Sequence, residues 1–139
     1  MKLIKLLILF FILFSPSSLL AKDRVDQLNR LFIELKTNNI ALTSKTEQKI
    51  WEIWSTHPKN QKLTKRLAEG SQLVRNNDLL KAVNIFSEVI DLDPKWAEAW
   101  NKRATVLYMM GDYKSSQKDI DKVLQLEKRH FGALAGQGL

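Results

Sequence analysis

The chain contains no cysteine. That excludes disulfides, thiolate metal sites, a cysteine nucleophile and a lipid anchor on a cysteine behind a signal, and it leaves the compartment open on redox grounds. Glycine (5) and proline (3) are scarce among the 139 residues, so long disordered tracts are not expected. The net charge is +7, yet no block of like charges occurs. Lys22-Asp23-Arg24 and Asp119-Ile120-Asp121-Lys122 mix the signs, which excludes a nucleic-acid tail. A mildly basic surface remains, with attraction to anionic lipid or an acidic partner still open. No stretch shows the apolar–polar alternation of a strand. What is present is 45% apolar and 27% charged residues, the composition of one modest globular domain.

The first residues read as an address. Lys2 and Lys5 give a basic start, Leu6 to Phe14 an unbroken apolar run, Ser15 to Ser18 a break, and Ala21 a small residue for cleavage. The run is shorter than the about 20 apolar residues that cross a bilayer core. Residues 1–21 are therefore expected to be a secretory signal peptide. Leu19 stands where a cleavage site prefers a small residue, so an uncleaved N-terminal anchor is the rival. The expected location is exported and periplasmic, or membrane-anchored by this segment.

After it, the pattern is helical throughout. Val25, Leu28, Leu31, Phe32 and Leu35 share one face of a helix over 23–36. Ser44 and Glu47 have capping-box spacing and predict a second helix from Ser44, carrying Ile50, Trp51, Ile53 and Trp54, up to His57-Pro58. Residues 22–61 form this helical lead-in. Further helices follow over 62–75 and 79–90. Pro94 suits the start of the next, which runs to Met110, and another covers 113–126. The mature chain is expected to be all-α.

Two windows of this stretch are alike. Residues 63–96 and 97–130, aligned without a gap, place Gly70 on Ala104, Leu73 on Leu107, Asn77 on Gly111 and Leu79 on Tyr113. Ala82 falls on Ser116, Phe86 on Ile120 and Val89 on Val123. A helix–turn–helix unit with this period is the pattern of a solenoid repeat. Small residues let two antiparallel helices approach, and large ones (Trp100, Leu107, Tyr113, Ile120) fill the space beside them. One hairpin cannot bury its apolar face alone, so the next must cover it.

On Trp100, Ala104, Leu107, Gly111, Tyr113, Ser116, Ile120 and Val123, with Pro94 closing a repeat, the chain resembles the tetratricopeptide-repeat superfamily. Arg66, Glu69 and Arg103 depart from the pattern where it prefers apolar residues, and Lys128 replaces a closing proline. "EQKIWEIW", "AEAWNKRAT" and "LEKRHFGALAGQG" resemble a bacterial family of exported or membrane-associated repeat proteins of undefined role. The resemblance implies a repeat domain over 62–139, with a truncated third repeat at 131–139 begun by Phe131, Ala133, Leu134 and Gly138. The apolar last ten residues are expected to be poorly ordered in isolation.

Chemistry is sparse. His57 and His130 lack companion ligands, which favours turn and capping roles. Asp91 and Asp93 read as a helix-ending turn, and "GDY" is no phosphate loop. No nucleophile–base set is found, so no catalytic residue, cofactor or metal is expected. The four tryptophans read as core, with Trp54 or Trp96 partly exposed. The resemblance implies a concave binding face made by the first helix of each repeat. Glu98, Asn101, Lys102, Thr105, Tyr108 and Met109 are expected there or on its edge, and all but Glu98 are the candidate contacts. Thr64, Leu67, Ser71, Val74 and Arg75 are the first-repeat counterparts. Glu98 and the uncharged first window argue against a full clamp on a C-terminal carboxylate. The implied role is a non-enzymatic scaffold for a protein or peptide. The alternative is a membrane-tethered assembly factor, touching the membrane only through an uncleaved N-terminal segment.

Overall fold

The computed structural model describes residues 16–37 and 40–137. The apolar run of the expected signal and the last residues, Gly138 and Leu139, lie outside the described residues. Among the described residues seven helices follow in order: α1 (Pro16–Leu35), α2 (Ile40–Ser55), α3 (Gln61–Arg75), α4 (Leu79–Leu92), α5 (Ala97–Met109), α6 (Tyr113–Leu126) and α7 (Phe131–Gly136). No strand occurs among the described residues.

The described residues form two compact units, the first ending at Ile53 and the second starting at Trp54. In the first, Leu28 and Leu31 on α1 and Ile50 on α2 are buried. The Arg24 guanidinium donates to the Ile53 carbonyl, and burial lowers its pKa. Helix α1 begins seven residues before the expected start, because residues 16–22 hold no breaker past a first-turn proline. Helix α2 begins at Ile40 rather than Ser44. Ser44 therefore lies inside the helix, and the capping box does not form. Propagating a helix through Ile40-Ala41-Leu42 adds a backbone bond per residue, which outweighs one side-chain cap.

In the second unit, successive helices pack in pairs: α3 on α4, α4 on α5, α5 on α6 and α6 on α7. The repeat is visible down to single hydrogen bonds. Asn77 (φ 61°) and Gly111 (φ 82°), one period apart, make the two left-handed turns. Glycine adopts this region without strain, and asparagine is among the few side chains that tolerate it. Asp78 N donates to Leu73 O at 2.8 Å, and Asp112 N to Leu107 O at 2.9 Å. At the far end, the Asp93 carboxylate accepts from Lys95 N (2.9 Å) and that of Glu127 from Arg129 N (3.0 Å). Pro94 sits in this turn, and α5 starts only at Ala97 with Trp96 as its N-cap, which corrects the expected helix start.

The contacts between helices follow from side-chain size. Gly70 is buried on α3, and a Cβ placed there would stand 2.4 Å from Phe86 Cε1 on α4. One period later Ala104 meets Ile120, and the buried Ser116 hydroxyl donates to the Ala104 carbonyl (2.8 Å). Leu63, Leu67, Ala82, Phe86, Val89 and Ile90 form the main core, closed by Trp96, Ala99 and Val106. Trp54 and Trp96 are both buried, in keeping with their reading as core, and neither is partly exposed. Two of the residues that depart from the apolar pattern, Arg66 and Arg103, are paired across helices. Arg66 on α3 reaches Glu88 on α4. Arg103 on α5 forks onto Asp119 of α6 at 2.7 and 2.9 Å and also donates to Ser87. The Asp119 hydrogen bonds, against some loss from burial, raise the Arg103 pKa.

Candidate functional site

Helix α5 is the helix on which the candidate residues lie. Its N-terminal end is held by Trp96, whose indole N–H donates to the Trp54 carbonyl (2.8 Å), and by Trp100, which donates to the Pro94 carbonyl (3.0 Å). Arg103 lies over the Trp100 ring at 5.0 Å, which fixes that side chain from the other side. These contacts hold the first half of α5, and the candidate residues beyond it face two grooves.

The larger groove, about 520 Å³, lies between α5, α6 and α7. Asn101, Thr105 and Tyr108 line it from α5, Tyr113 and Gln117 from α6, and Gly132 and Gly136 from α7. Among the described residues, no charged side chain lines it. Tyr108 and Tyr113 are 42% and 61% exposed, with ring centroids 5.1 Å apart, and form an aromatic edge. The smaller groove, about 280 Å³, lies between α3 and α5 near the end of α2. Thr64, Leu67, Ser71 and Arg75 face it from α3 and Lys102 from α5. Two cations, Arg75 and the Glu98-paired Lys102, and several hydroxyls give it the opposite character.

The five candidate contacts therefore do not form one patch. Asn101, Thr105 and Tyr108 share the uncharged groove, while Lys102 faces the basic one. Met109 is 51% exposed and lines neither. The split follows from the helix: neighbours in sequence point about 100° apart, so Asn101 and Lys102 look to different sides.

Glu98 is not on the edge of a binding face but fully buried. Its carboxylate meets His130 Nε2 at 3.0 Å, Asn101 Nδ2 at 3.3 Å and the Lys102 ammonium at 3.2 Å. His130 Nδ1 accepts the Ala133 N–H and caps α7, so its proton sits on Nε2 and is donated to Glu98. The imidazole stacks flat on Trp54, 4.1 Å away and 12° from parallel. His57 likewise accepts at Nδ1 from Lys59 N and Asn60 N, while Nε2 meets Asp93 at 2.8 Å. Both histidines serve turns and caps. Composition gave no sign of the Glu98–His130 pair. The available signal was period: His130 stands one repeat after Trp96, and the turn before it reproduces the turn before Trp96.

The expected signal residues up to Ser15 lie outside the described residues, and among those described no helix is long and apolar enough to cross a membrane. No cluster of three or more histidine, aspartate or glutamate side chains is arranged to hold a metal among the described residues.

No protein-family model matches the chain. Curated relatives do. A TPR repeat-containing protein of Rhizobium etli is 51% identical over 55 residues, which is 40% of this chain and 27% of the relative. A tetratricopeptide repeat protein 36 homolog of Nematostella vectensis is 32% identical over 69 residues, 50% of this chain and 38% of the relative. The human DnaJ homolog subfamily C member 3 is 35% identical over 79 residues, 57% of this chain and 16% of the relative. The matched part spans well under half the length of each of these relatives.

Proposed function

We propose that this chain, whose helical repeat is of the tetratricopeptide type, is a non-enzymatic scaffold that binds a protein or peptide across the open sides of α5. The observation that carries the reading is the arrangement of α5 itself. A helix locked by Trp96, Trp100 and Arg103 presents Asn101, Thr105 and Tyr108 to an uncharged groove and Lys102 to a basic one. A helix held in place before binding loses little backbone entropy on contact, which is what a recognition surface needs. Relatives named for the same repeat support the scaffold class. The polar side chains that catalysis would need are tied up in caps and interhelical pairs: His57 with Asp93, His130 with Glu98, Arg103 with Asp119.

The proposed site is the cell envelope, reached through the address at residues 1–21, with an uncleaved anchor as the form that would make it a tethered assembly factor. N-terminal sequencing of the mature protein separates the two, since a start at Lys22 means release. The scaffold reading is tested by crosslinking in the native envelope with the wild type, Lys102→Gln and Tyr108→Ala. Both side chains are partly exposed, and glutamine avoids setting a second carboxylate beside Glu98. Loss of the same captured partner in either variant, with an unchanged helical spectrum, supports the reading. A capture pattern identical in all three rejects it.

A further inference from the structure

We propose that the turns before α3, α5 and α7 form a basic face that docks on an anionic phospholipid bilayer. The inference goes beyond the scaffold reading and does not rest on it, since the lysines that carry it line neither groove of α5.

The face follows from one hydrogen bond made in all three turns. In each, a side chain folds back to accept the N–H two residues on. His57 Nδ1 accepts from Lys59 (3.1 Å), the Asp93 carboxylate from Lys95 (2.9 Å) and that of Glu127 from Arg129 (3.0 Å). The acceptor turns into the loop, and the lysines beside it stay outside. The turns lie together at one end of the second unit. His57 meets Asp93 at 2.8 Å, the Trp96 indole donates to the Trp54 carbonyl at 2.8 Å, and His130 stacks on Trp54 at 4.1 Å. Lys59, Lys62, Lys95 and Lys128 are exposed there. None of the four is ion-paired among the described residues. The nearby acids are mostly engaged: Asp93 with His57 and Glu127 with Arg129. Within residues 56–62, 91–96 and 127–130 the remaining carboxylate is Asp91. The signs alternate along the sequence, and the turns sort them, acids inward and ammonium groups outward.

Charge and apolar exposure together fix the occupant. Leu92, the last residue of α4 and three before Lys95, is 71% exposed. An exposed leucine among free ammonium groups suits the headgroup layer of an anionic bilayer, which takes both. A single-stranded nucleic acid would want rings on which bases stack, and the tryptophans of this end, Trp54 and Trp96, are buried. An acidic protein would have to bring carboxylates to match four scattered charges, whereas a bilayer presents phosphates over its whole plane.

The probe is a vesicle of phosphatidylcholine with about one quarter phosphatidylglycerol, set against phosphatidylcholine alone. The chain has no cysteine, so a single environment-sensitive dye can be placed on the full chain at Leu92→Cys, with Leu80→Cys as the control. Both leucines are exposed, 71% and 70%, and they stand at opposite ends of α4, about 18 Å apart. The apolar run at Leu6 to Phe14 can hold the chain on a vesicle of any charge, so the readout is the dye and not co-sedimentation. The expected result is a saturable blue shift of the Leu92 dye on the anionic vesicles only, with the Leu80 dye unchanged. Each lysine at an anionic surface contributes about fivefold, so Lys59→Gln/Lys95→Gln/Lys128→Gln should raise the half-saturating lipid concentration on the order of a hundredfold. Lys81→Gln/Lys114→Gln/Lys118→Gln removes the same charge elsewhere and should raise it far less. All six lysines are exposed, and an unchanged helical spectrum confirms that both triple variants fold. No shift of the Leu92 dye overturns the proposal, as does an equal shift on phosphatidylcholine alone or an equal shift of the Leu80 dye. Equal weakening by the two triple variants overturns it too, because net charge and not this face is then at work. An equal or stronger response of the Leu92 dye to poly-L-glutamate at matched charge also overturns it, because the face then takes an acidic protein.

Discussion

Gly70 and Phe86 make the sharpest test of the packing on which the repeat stands. In the first repeat the α3–α4 contact is glycine against phenylalanine, and in the second the α5–α6 contact is alanine against isoleucine. The two solutions fill the same gap with different shares. Gly70→Ala gains about 1 kcal/mol of helix propensity. It also drives a methyl group to 2.4 Å from Phe86 Cε1 and 2.8 Å from Cζ, inside a fully buried ring. A displacement of this size puts the strain near the top of the usual overpacking range, about 3 kcal/mol, for a net loss of roughly 2 kcal/mol. Phe86→Ile alone leaves a void beside Gly70 and costs about 1–2 kcal/mol. The double variant Gly70→Ala/Phe86→Ile reproduces the second-repeat solution, in which the new methyl occupies the vacated space. It should be more stable than either single variant predicts, with a coupling of about 2 kcal/mol. Urea unfolding followed by fluorescence of the buried Trp54 and Trp96 measures all four corners of the cycle. Additive effects, or a Gly70→Ala variant more stable than wild type, would refute the close approach of α3 and α4.

Three further expectations follow from the polar pairs. His130→Ala removes the cap of α7 and leaves the Glu98 carboxylate buried without its imidazole; it should cost about 3 kcal/mol and strip exchange protection from the amides of 131–136. An unchanged urea midpoint with protected α7 amides would contradict this. Arg103→Lys keeps the charge but loses the two-pronged contact with Asp119 and the bond to Ser87, for a loss of about 1–2 kcal/mol in the same assay. For acid stability, the hydrogen bonds from Ser115 to the Asp112 cap lower the pKa of that carboxyl in the folded state. A depressed folded pKa means the stabilisation is complete above the ordinary aspartate value of about 3.9 and is lost as pH falls through the folded value. Carboxyl-carbon NMR should place the Asp112 midpoint below that of an unfolded peptide, and Asp112→Asn should remove this part of the acid loss. A midpoint at the ordinary value would contradict it.

The helices from residue 61 onward were legible because their signals are local or periodic. Asn77 and Gly111 mark turns, and the recurrence of small and large residues one period apart marks which faces meet. Boundaries were less legible where two local signals competed. Ser44 and Glu47 have the spacing of a cap, yet the helix runs through them from Ile40, since extending a helix is favourable wherever nothing breaks it. The candidate contacts illustrate a different limit. Asn101 to Met109 were grouped by belonging to one helix, but the direction of each side chain, and the neighbours of α5 on each side, decide which groove it enters.

The sequence by itself determined that the chain is helical, that two units recur one period apart, and that Gly70, Ala104 and Ser116 are contact points. Each follows from residue size and spacing alone. Only the tertiary structure decided that Glu98 is a buried partner of His130 under the Trp54 ring, that Arg103 and Asp119 form a pair, and that Lys102 and Tyr108 serve separate grooves. Whether a charge is buried or exposed depends on which helix lies over it, and that is set by contacts between residues far apart in the chain, which no local pattern encodes.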